Sequence, residues 1–168
     1  SQQQALNGGI PVIDINRVST LDICFDGADE IDSKKRMVKG GGGALLREKI
    51  VASMSDEMVV IVDETKCVQT LGKFPLPVEE IRLAHETLAA KLRERWQVPV
   101  ELRLTSAAEP FVTDEGNYTL DCQFQRIEHP KSLAQELSEL PGVVEHGLFL
   151  GMADVAYLGG PDGVEEMV

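Results

Sequence analysis

The feature that most constrains the fold of this chain is the continuous apolar run MVVIV at residues 58–62, which follows a helical pattern. Leu46, Ile50 and Met54 recur at helical spacing and predict a helix from residue 44 to about residue 55. A β-branched run of strand length is typical of a parallel strand that is buried on both faces. A helix followed at once by such a strand favours an α/β layer fold.

Other short apolar runs predict further extended segments. They lie at residues 10–15 (IPVIDI), 23–25 and 36–38 and, after a long interval, at residues 153–158. Because the last run again has the pattern of a buried strand followed by a turn, we expect it to rejoin the first sheet. Residues 1–76 and 149–168 are therefore predicted to form one α/β domain.

The intervening residues 77–148 are predicted to form a second, smaller domain that is inserted into the first. Strands are indicated at residues 77–81, 100–104 and 143–150, and residues 111–113 and 118–124 flank the hairpin turn DEGN. One helix is indicated at residues 82–96, and a second by Leu133, Leu137 and Leu140. This order corresponds to the ferredoxin-like βαββαβ arrangement.

The charge of the chain restricts its partners. Its formal net charge is −12, with 28 acidic against 16 basic residues. Nucleic acids and anionic membranes bind clustered Lys and Arg, so the sequence argues against both. An anionic small molecule needs only a few local cations and remains possible.

The cysteine and histidine residues do not indicate a metal site. Cys24, Cys67 and Cys122 are widely spaced, and we expect buried free thiols in a reducing cytoplasm. The histidines, which lie at no ligand spacing, are expected to be structural. The sequence DGADEID lacks the spacing of an EF-hand loop.

Polar residues follow several of the predicted strands. Asp26 and Asp29 follow residues 23–25, Lys39 follows residues 36–38, and Lys66 comes shortly after residues 58–62. In parallel α/β sheets, ligands bind beyond the carboxyl ends of the strands. We therefore expect these carboxylates and ammonium groups to meet at one edge of the sheet.

The run KGGGG at residues 39–43 stands directly before the predicted helix. A helix N-terminus favours anions, and glycine allows a ligand to approach the backbone closely. The run matches neither a Walker A loop nor GxGxxG, so by itself it indicates a tight turn as readily as a binding site. Glu48 lies one helical turn later and should point back toward the glycines, which favours a site. Burial would raise the pKa of Glu48, whereas Lys39 and the helix dipole would lower it.

Several motifs together resemble those of the type A ribose-5-phosphate isomerases. In chain order they are FDGADEID, MVKGGGGALLREKIVAS, GKFPLPVE, FVTDEGNYTLD, LPGVVEHGLF and ADVAYLGGPDGV. The resemblance implies a Rossmann-like α/β domain with an inserted ferredoxin-like domain. It also implies a cytoplasmic homodimer or dimer of dimers that interconverts ribose 5-phosphate and ribulose 5-phosphate in the pentose phosphate pathway. No metal or organic cofactor is implied.

The resemblance also assigns roles to residues. Glu48 matches the general base that moves a proton between carbons 2 and 1 through an enediolate. Asp26 and Asp29, in the stretch Asp26, Gly27, Ala28 and Asp29, match carboxylates that assist ring opening and hold hydroxyl groups. Sugar binding and oxyanion stabilisation are matched by Lys39, Gly40, Gly41 and Gly42. Lys66 matches a lysine that contacts the substrate.

One departure from the family concerns the start of the chain. The family carries an upstream first strand and a Gly-Thr-Ser loop that helps to hold the phosphate, and we expect this segment to be missing here. An inactive fragment is therefore one alternative. A second is a non-catalytic sugar-phosphate-binding domain like those of sensing regulators, although the helix-turn-helix of such regulators is absent. A nucleotide-binding protein is disfavoured because its fingerprints are missing.

Overall fold

The computed structural model describes residues 2–167. Within this range the α-helices are α1 Gln2–Asn7, α2 Leu45–Met54, α3 His85–Trp96 and α4 Pro130–Ser138. The strands are β1 Leu21–Asp26, β2 Glu30–Asp32, β3 Met37–Val38, β4 Ser55–Asp63, β5 Cys67–Val68, β6 Leu76–Glu80, β7 Val100–Leu102, β8 Tyr118–Cys122, β9 Val143–His146, β10 Leu148–Phe149, β11 Val155–Gly160 and β12 Gly163–Met167. Short 3₁₀ turns occupy Ile15–Arg17, Glu64–Lys66 and Arg82–Ala84.

The first sheet has the strand order β1-β4-β11-β12. Strands β1, β4 and β11 are parallel, and β12 returns antiparallel to β11. The predicted return of the tail to this sheet is confirmed. Helix α2 packs against β1 and β4, so its first turn lies near the carboxyl end of β1. This arrangement brings Glu48 and Asp26 to the same edge.

A second sheet has the order β10-β3-β2-β5 and consists of two- and three-residue strands. The sequence did not reveal it, because strands this short carry too little periodicity. Its residues Ile31, Met37 and Phe149 are completely buried. The sheet thereby fixes the positions of the loops that follow β1 and β3.

The third sheet, called here the antiparallel sheet, has the order β7-β8-β6-β9. Helices α3 and α4 pack on it through a core that includes Val78, Leu88, Leu92, Leu120 and Leu137. This is the ferredoxin-like arrangement, and the predicted fold class is confirmed. The division of the chain at residues 77 and 148 stays a prediction, and its outermost residues, Ser1 and Val168, lie outside the described part.

Two predicted strands are wrong. Residues 10–14 form no strand, and the chain continues into the 3₁₀ turn Ile15–Arg17, where the Asp14 side chain accepts the Asn16 N–H. Ile13 is 62% exposed there, so the apolar pattern found no partner among the described residues. Residues 111–113 also form no strand. Instead Thr113 closes the DEGN turn, since its N–H donates to the Asn117 carbonyl.

Two further predictions need correction. The predicted strand at residues 143–150 is broken at Gly147, and its halves β9 and β10 join different sheets. A side chain at Gly147 would collide with the Lys39 carbonyl, so only glycine permits the two chain segments to cross. The run at residues 58–62 is not buried on both faces throughout, because Ile61 is 57% exposed.

Candidate active site

Three charged side chains meet beyond the carboxyl end of β1. The Lys39 ammonium lies 2.9 Å from Oδ2 of Asp26 and 3.4 Å from Oε2 of Glu48. Asp26 ends β1, Lys39 follows β3, and Glu48 occupies the first turn of α2. The sequence predicted that these residues would meet. They do so because β1 and β3 end, and α2 begins, at one edge of the fold.

Lys39 is the most deeply buried member of this group, with only 4% of its side chain exposed. Its Nζ donates a 2.5 Å hydrogen bond to the Gly27 carbonyl and lies 5.4 Å from the centre of the Phe149 ring. Its backbone N–H donates to the Gly147 carbonyl. A buried ammonium is stable only when it is paired and hydrogen-bonded, and these contacts meet that requirement.

Glu48 is less buried, with 27% of its side chain exposed. Among residues 2–167, no donor makes a hydrogen bond to its Oε2, although that atom is buried. Burial raises the pKa of Glu48, and the negative charges of Asp26 and Asp29 act in the same direction, while Lys39 opposes them. The sequence left open whether burial or Lys39 has the larger effect on this pKa, and desolvation by burial is the larger. A carboxylate with a raised pKa and one oxygen that has no hydrogen-bond donor can accept a proton from a ligand.

Residues 40–43, called here the glycine loop, connect β3 to α2. The loop is closed by a hydrogen bond from the Gly43 N–H to the Gly40 carbonyl. Gly43 has φ +82°, and a Cβ at this position would collide with the ring of Phe111. The glycine is therefore required both by its backbone conformation and by the close approach of an aromatic ring.

Asp29 contacts the glycine loop rather than Glu48. Its Oδ2 accepts a 2.7 Å hydrogen bond from the Gly41 N–H. The N–H groups of Gly40 and Gly42, by contrast, have no acceptor within the part of the chain that the structure describes. Space is open around Gly42, where a Cβ would meet no atom within 4 Å. Of the three predicted binding amides, Gly41 is thus already occupied and Gly40 is buried, whereas Gly42 is exposed and can reach a ligand.

The remaining predicted residues lie around this centre. Gly27 donates its N–H to Oδ1 of Asp26, and Ala28 packs against the core below. Lys66 is exposed and lies apart from Glu48, in a cavity of about 330 Å³ that Asp29 and Lys73 also line. Asp29 therefore lies between the glycine loop and the cavity that contains Lys66.

Sequence reasoning missed Lys49, which follows Glu48. The Lys49 ammonium lies 2.7 Å from Oε1 of Glu145, donates to the His146 carbonyl, and lies 4.8 Å from the Phe149 ring centre. Burial lowers the pKa of Lys49, and burial together with the Lys49 charge lowers the pKa of His146 to about 4. These contacts tie α2 to β9. An isolated lysine in a helix gives no sequence signal for such a role.

The other histidines and the cysteines have structural environments. His85 Nδ1 lies 3.0 Å from Glu80, and His129 is exposed. Cys24 and Cys122 are buried and free, as predicted, and burial raises the pKa of Cys122 to about 12. Within residues 2–167, no three His, Cys, Asp or Glu side chains are grouped to hold a metal ion. The cofactor-free reaction stays a prediction.

The comparison with protein families identifies the family of this chain. The family model for ribose 5-phosphate isomerase A (phosphoriboisomerase A) matches residues 1–163. The chain belongs to this family. It is therefore an aldose–ketose isomerase, as the sequence motifs predicted.

Curated relatives support the same conclusion. The ribose-5-phosphate isomerase A of Bifidobacterium adolescentis is 48% identical over 99% of this chain and 72% of its own length. The protein of the same name from Bradyrhizobium diazoefficiens is 50% identical over 93% of this chain and 68% of its own length. The chain thus spans about seven tenths of the length of these isomerases.

Solved structures share the fold. A D-ribose-5-phosphate isomerase in complex with phospho-erythronic acid superposes with a TM-score of 0.94 at 34% identity, over 98% of this chain and 72% of the other. The ribose 5-phosphate isomerase A of Neisseria gonorrhoeae gives 0.92 at 40% identity, over 99% and 72% of the respective chains. No helix among the described residues is long and apolar enough to cross a membrane.

Proposed function

We propose that this isomerase interconverts D-ribose 5-phosphate and D-ribulose 5-phosphate through an enediolate, with Glu48 as the base. The observation that carries the proposal is the position of Glu48 Oε2, which has no hydrogen-bond donor among the described residues and lies 3.4 Å from the buried ammonium of Lys39. A positioned carboxylate beside a fixed cation is what proton transfer next to a carbonyl requires.

In the proposed reaction, Glu48 moves one proton from carbon 2 to carbon 1 of the substrate. The Glu48 carboxylate removes the proton from carbon 2 of the open-chain aldose, and the electron pair forms the C1–C2 double bond while negative charge develops on O1. The O2 hydroxyl proton then passes to O1. The electron pair on O2 forms the carbonyl at carbon 2 as carbon 1 takes the proton back from Glu48, which gives the ketose and restores the carboxylate. No other reactant is consumed.

The surrounding groups have separate proposed roles. Lys39 and the free N–H group of Gly42 stabilise the developing oxyanion, since fixed donors in a desolvated site act most strongly there. Asp26 orients the Lys39 ammonium and, as in the family, assists ring opening. Asp29 holds the glycine loop through Gly41 and faces the cavity that contains Lys66. Lys66 would contact the anionic end of the substrate.

A structural relative supports this assignment of ligand class. The isomerase that superposes with a TM-score of 0.94 holds phospho-erythronic acid, a phosphorylated sugar acid. We expect a ligand of this class to bind here with its carboxylate near Lys39. We also expect a homodimer or a dimer of dimers, as the family implies, and light scattering on the purified protein would measure the mass of this assembly. A cytoplasmic location is likewise expected from the family.

The direct test follows ribose 5-phosphate by NMR after addition of the purified chain. We expect ribulose 5-phosphate to form until equilibrium is reached, and unphosphorylated ribose to react far more slowly. A parallel titration with ribose 5-phosphate measures binding. Binding without conversion would instead support the non-catalytic sugar-phosphate-binding domain, and absence of both would support an inactive fragment.

A further inference from the structure

Arg103 reaches the glycine loop from the antiparallel sheet. It follows β7, and its Nη1 donates hydrogen bonds to the carbonyls of Gly40 at 2.7 Å and Gly41 at 3.3 Å. None of the motifs that identified the family depends on this residue. A guanidinium has five donors in a fixed plane, so it can bind these carbonyls and still bind a carboxylate.

Asp121 of β8 supplies that carboxylate. Arg103 Nε lies 2.9 Å from Oδ2 of Asp121 and Nη2 lies 2.5 Å from Oδ1, which makes the pair bidentate. The Arg103 side chain is only 14% exposed. Its backbone is also fixed, because its N–H donates to Thr119 and its carbonyl accepts from Phe111. Bidentate pairs of this kind set orientation as well as charge.

The peptide group between Gly40 and Gly41 is therefore held from both sides. Its carbonyl accepts from the Arg103 cation, and its N–H donates to the Asp29 carboxylate at 2.7 Å. In a trans peptide these two groups point in opposite directions, so opposite charges on the two sides fix the plane. The next N–H along the chain belongs to Gly42, one of the two free amides.

Phe111 adds a steric constraint from the same direction. Its ring lies against Gly43, where any Cβ would collide with it, and 6.0 Å from the Arg103 guanidinium. The connection between β7 and β8 thus contacts the glycine loop through one charged and one aromatic side chain.

We propose that Arg103 is a positioning residue for the isomerase, which holds the Gly40–Gly41 peptide against Asp29 and thereby directs the Gly42 N–H toward the substrate. The inference rests on the proposed role of the glycine loop in the reaction. It assigns the antiparallel sheet a part in catalysis, because both Arg103 and Asp121 belong to that part of the chain.

The test compares Arg103→Ala and Arg103→Lys with a control variant, Arg95→Gln. The control removes the ion pair between Arg95 of α3 and Glu136 of α4, the two helices that pack on the antiparallel sheet. Misplacement of a catalytic loop costs up to about a hundredfold in rate, so we expect Arg103→Ala to lower kcat by about tenfold to a hundredfold with little change in KM. Lysine should restore only part of kcat, because it cannot bind Asp121 and both carbonyls together. Added guanidinium chloride, at concentrations well below those that unfold proteins, should partly rescue Arg103→Ala, and sodium chloride should not.

Hydrogen exchange of the peptide covering residues 39–44 gives a readout that does not depend on activity. We expect faster exchange in Arg103→Ala and unchanged exchange in Arg95→Gln. If wild-type protein shows no isomerisation, the proposed function fails, while the exchange measurement still decides whether Arg103 holds the loop. Unchanged exchange, or a kcat within twofold of wild type, would overturn the inference. Should Arg103→Ala fail to fold, Asp121→Asn carries the same test, with wild-type kcat and exchange again overturning it.

Discussion

The Lys39 ammonium lies 3.4 Å from Oε2 of Glu48 and donates no hydrogen bond to it. Its hydrogen-bonding capacity is directed instead to the Gly27 carbonyl, and its closest carboxylate is Asp26 at 2.9 Å. Glu48 therefore feels the positive charge without having its oxygen blocked. This relationship leaves the carboxylate able to take a proton.

Glu48→Gln should abolish turnover and leave the fold intact. The amide has nearly the same shape but cannot accept a proton, and loss of a general base costs typically ~10²–10⁴-fold. The measurement is kcat with ribose 5-phosphate, together with the melting temperature. Glu57→Gln is the control, because Glu57 is an exposed carboxylate on β4. A Glu48→Gln protein with near-normal kcat would refute the assignment of the base.

Asp26→Asn should shift the acid limb of the pH profile. Burial raises the pKa of Glu48 above its ordinary value of 4.5, and the Asp26 charge raises it further. Since the base must be ionised, kcat/KM falls as the pH drops through this pKa. Removing the Asp26 charge lowers the pKa of Glu48, so the limb should move to lower pH. The exposed Asp56→Asn serves as control, and a limb that stays or moves upward would contradict this account.

Gly42→Ala and Gly43→Ala should behave differently. At Gly43, with φ +82° and the Phe111 ring in contact, alanine should destabilise the protein by about 1–3 kcal/mol. At Gly42 a Cβ meets no protein atom, so the stability should be retained. The methyl group would instead occupy space proposed for the substrate, and kcat/KM should fall. Urea unfolding and steady-state kinetics separate the two effects, and a fully active Gly42→Ala protein would place the substrate elsewhere.

His146→Gln should alter the pH dependence of stability. The pKa of His146 is lowered from 6.5 to about 4, chiefly by burial, and its neutral Nδ1 accepts the Leu148 N–H. Below pH 6.5 the unfolded chain binds a proton that the folded chain does not. The stability contributed by neutral His146 is therefore present above pH 6.5 and is lost as the pH falls toward about 4.

The measurement for His146 is the free energy of unfolding of both proteins across this range. Relative to His146→Gln, the wild type should lose stability at no more than about 1.4 kcal/mol per pH unit. Above pH 7 the difference between the two proteins should be constant. A difference that does not change between pH 6.5 and 4 would show that His146 is not held neutral.

Motif and periodicity identified the parts of this protein that have local signals. The helix at Leu45–Met54, the parallel strand at Ser55–Asp63 and the return of the tail were predicted because each has a regular apolar pattern. Residues 10–15 also have an apolar pattern, but the strand predicted there was wrong. An apolar pattern shows what could be buried, but burial requires a partner, and among the described residues this segment has none.

The charges of the site were visible in the sequence, but their pairing was not. Asp26 and Asp29 have the same local signal after β1, yet Asp26 pairs with Lys39, while Asp29 binds the Gly41 N–H. Only two residues separate them in sequence, and the turn directs them to different partners. The direction of the pKa shift of Glu48 likewise depended on burial, which is a property of the whole fold.

The sequence by itself determined the fold class, the family and the identity of the residues that meet beyond β1, because helical spacing, strand patterns and compact motifs are local. Only the tertiary structure decided that Arg103 and Phe111 approach the glycine loop and that Gly147 makes room for the Lys39 backbone. These contacts join segments that are distant along the chain. Their geometry depends on how sheets and helices pack together, and local sequence patterns do not predict that packing.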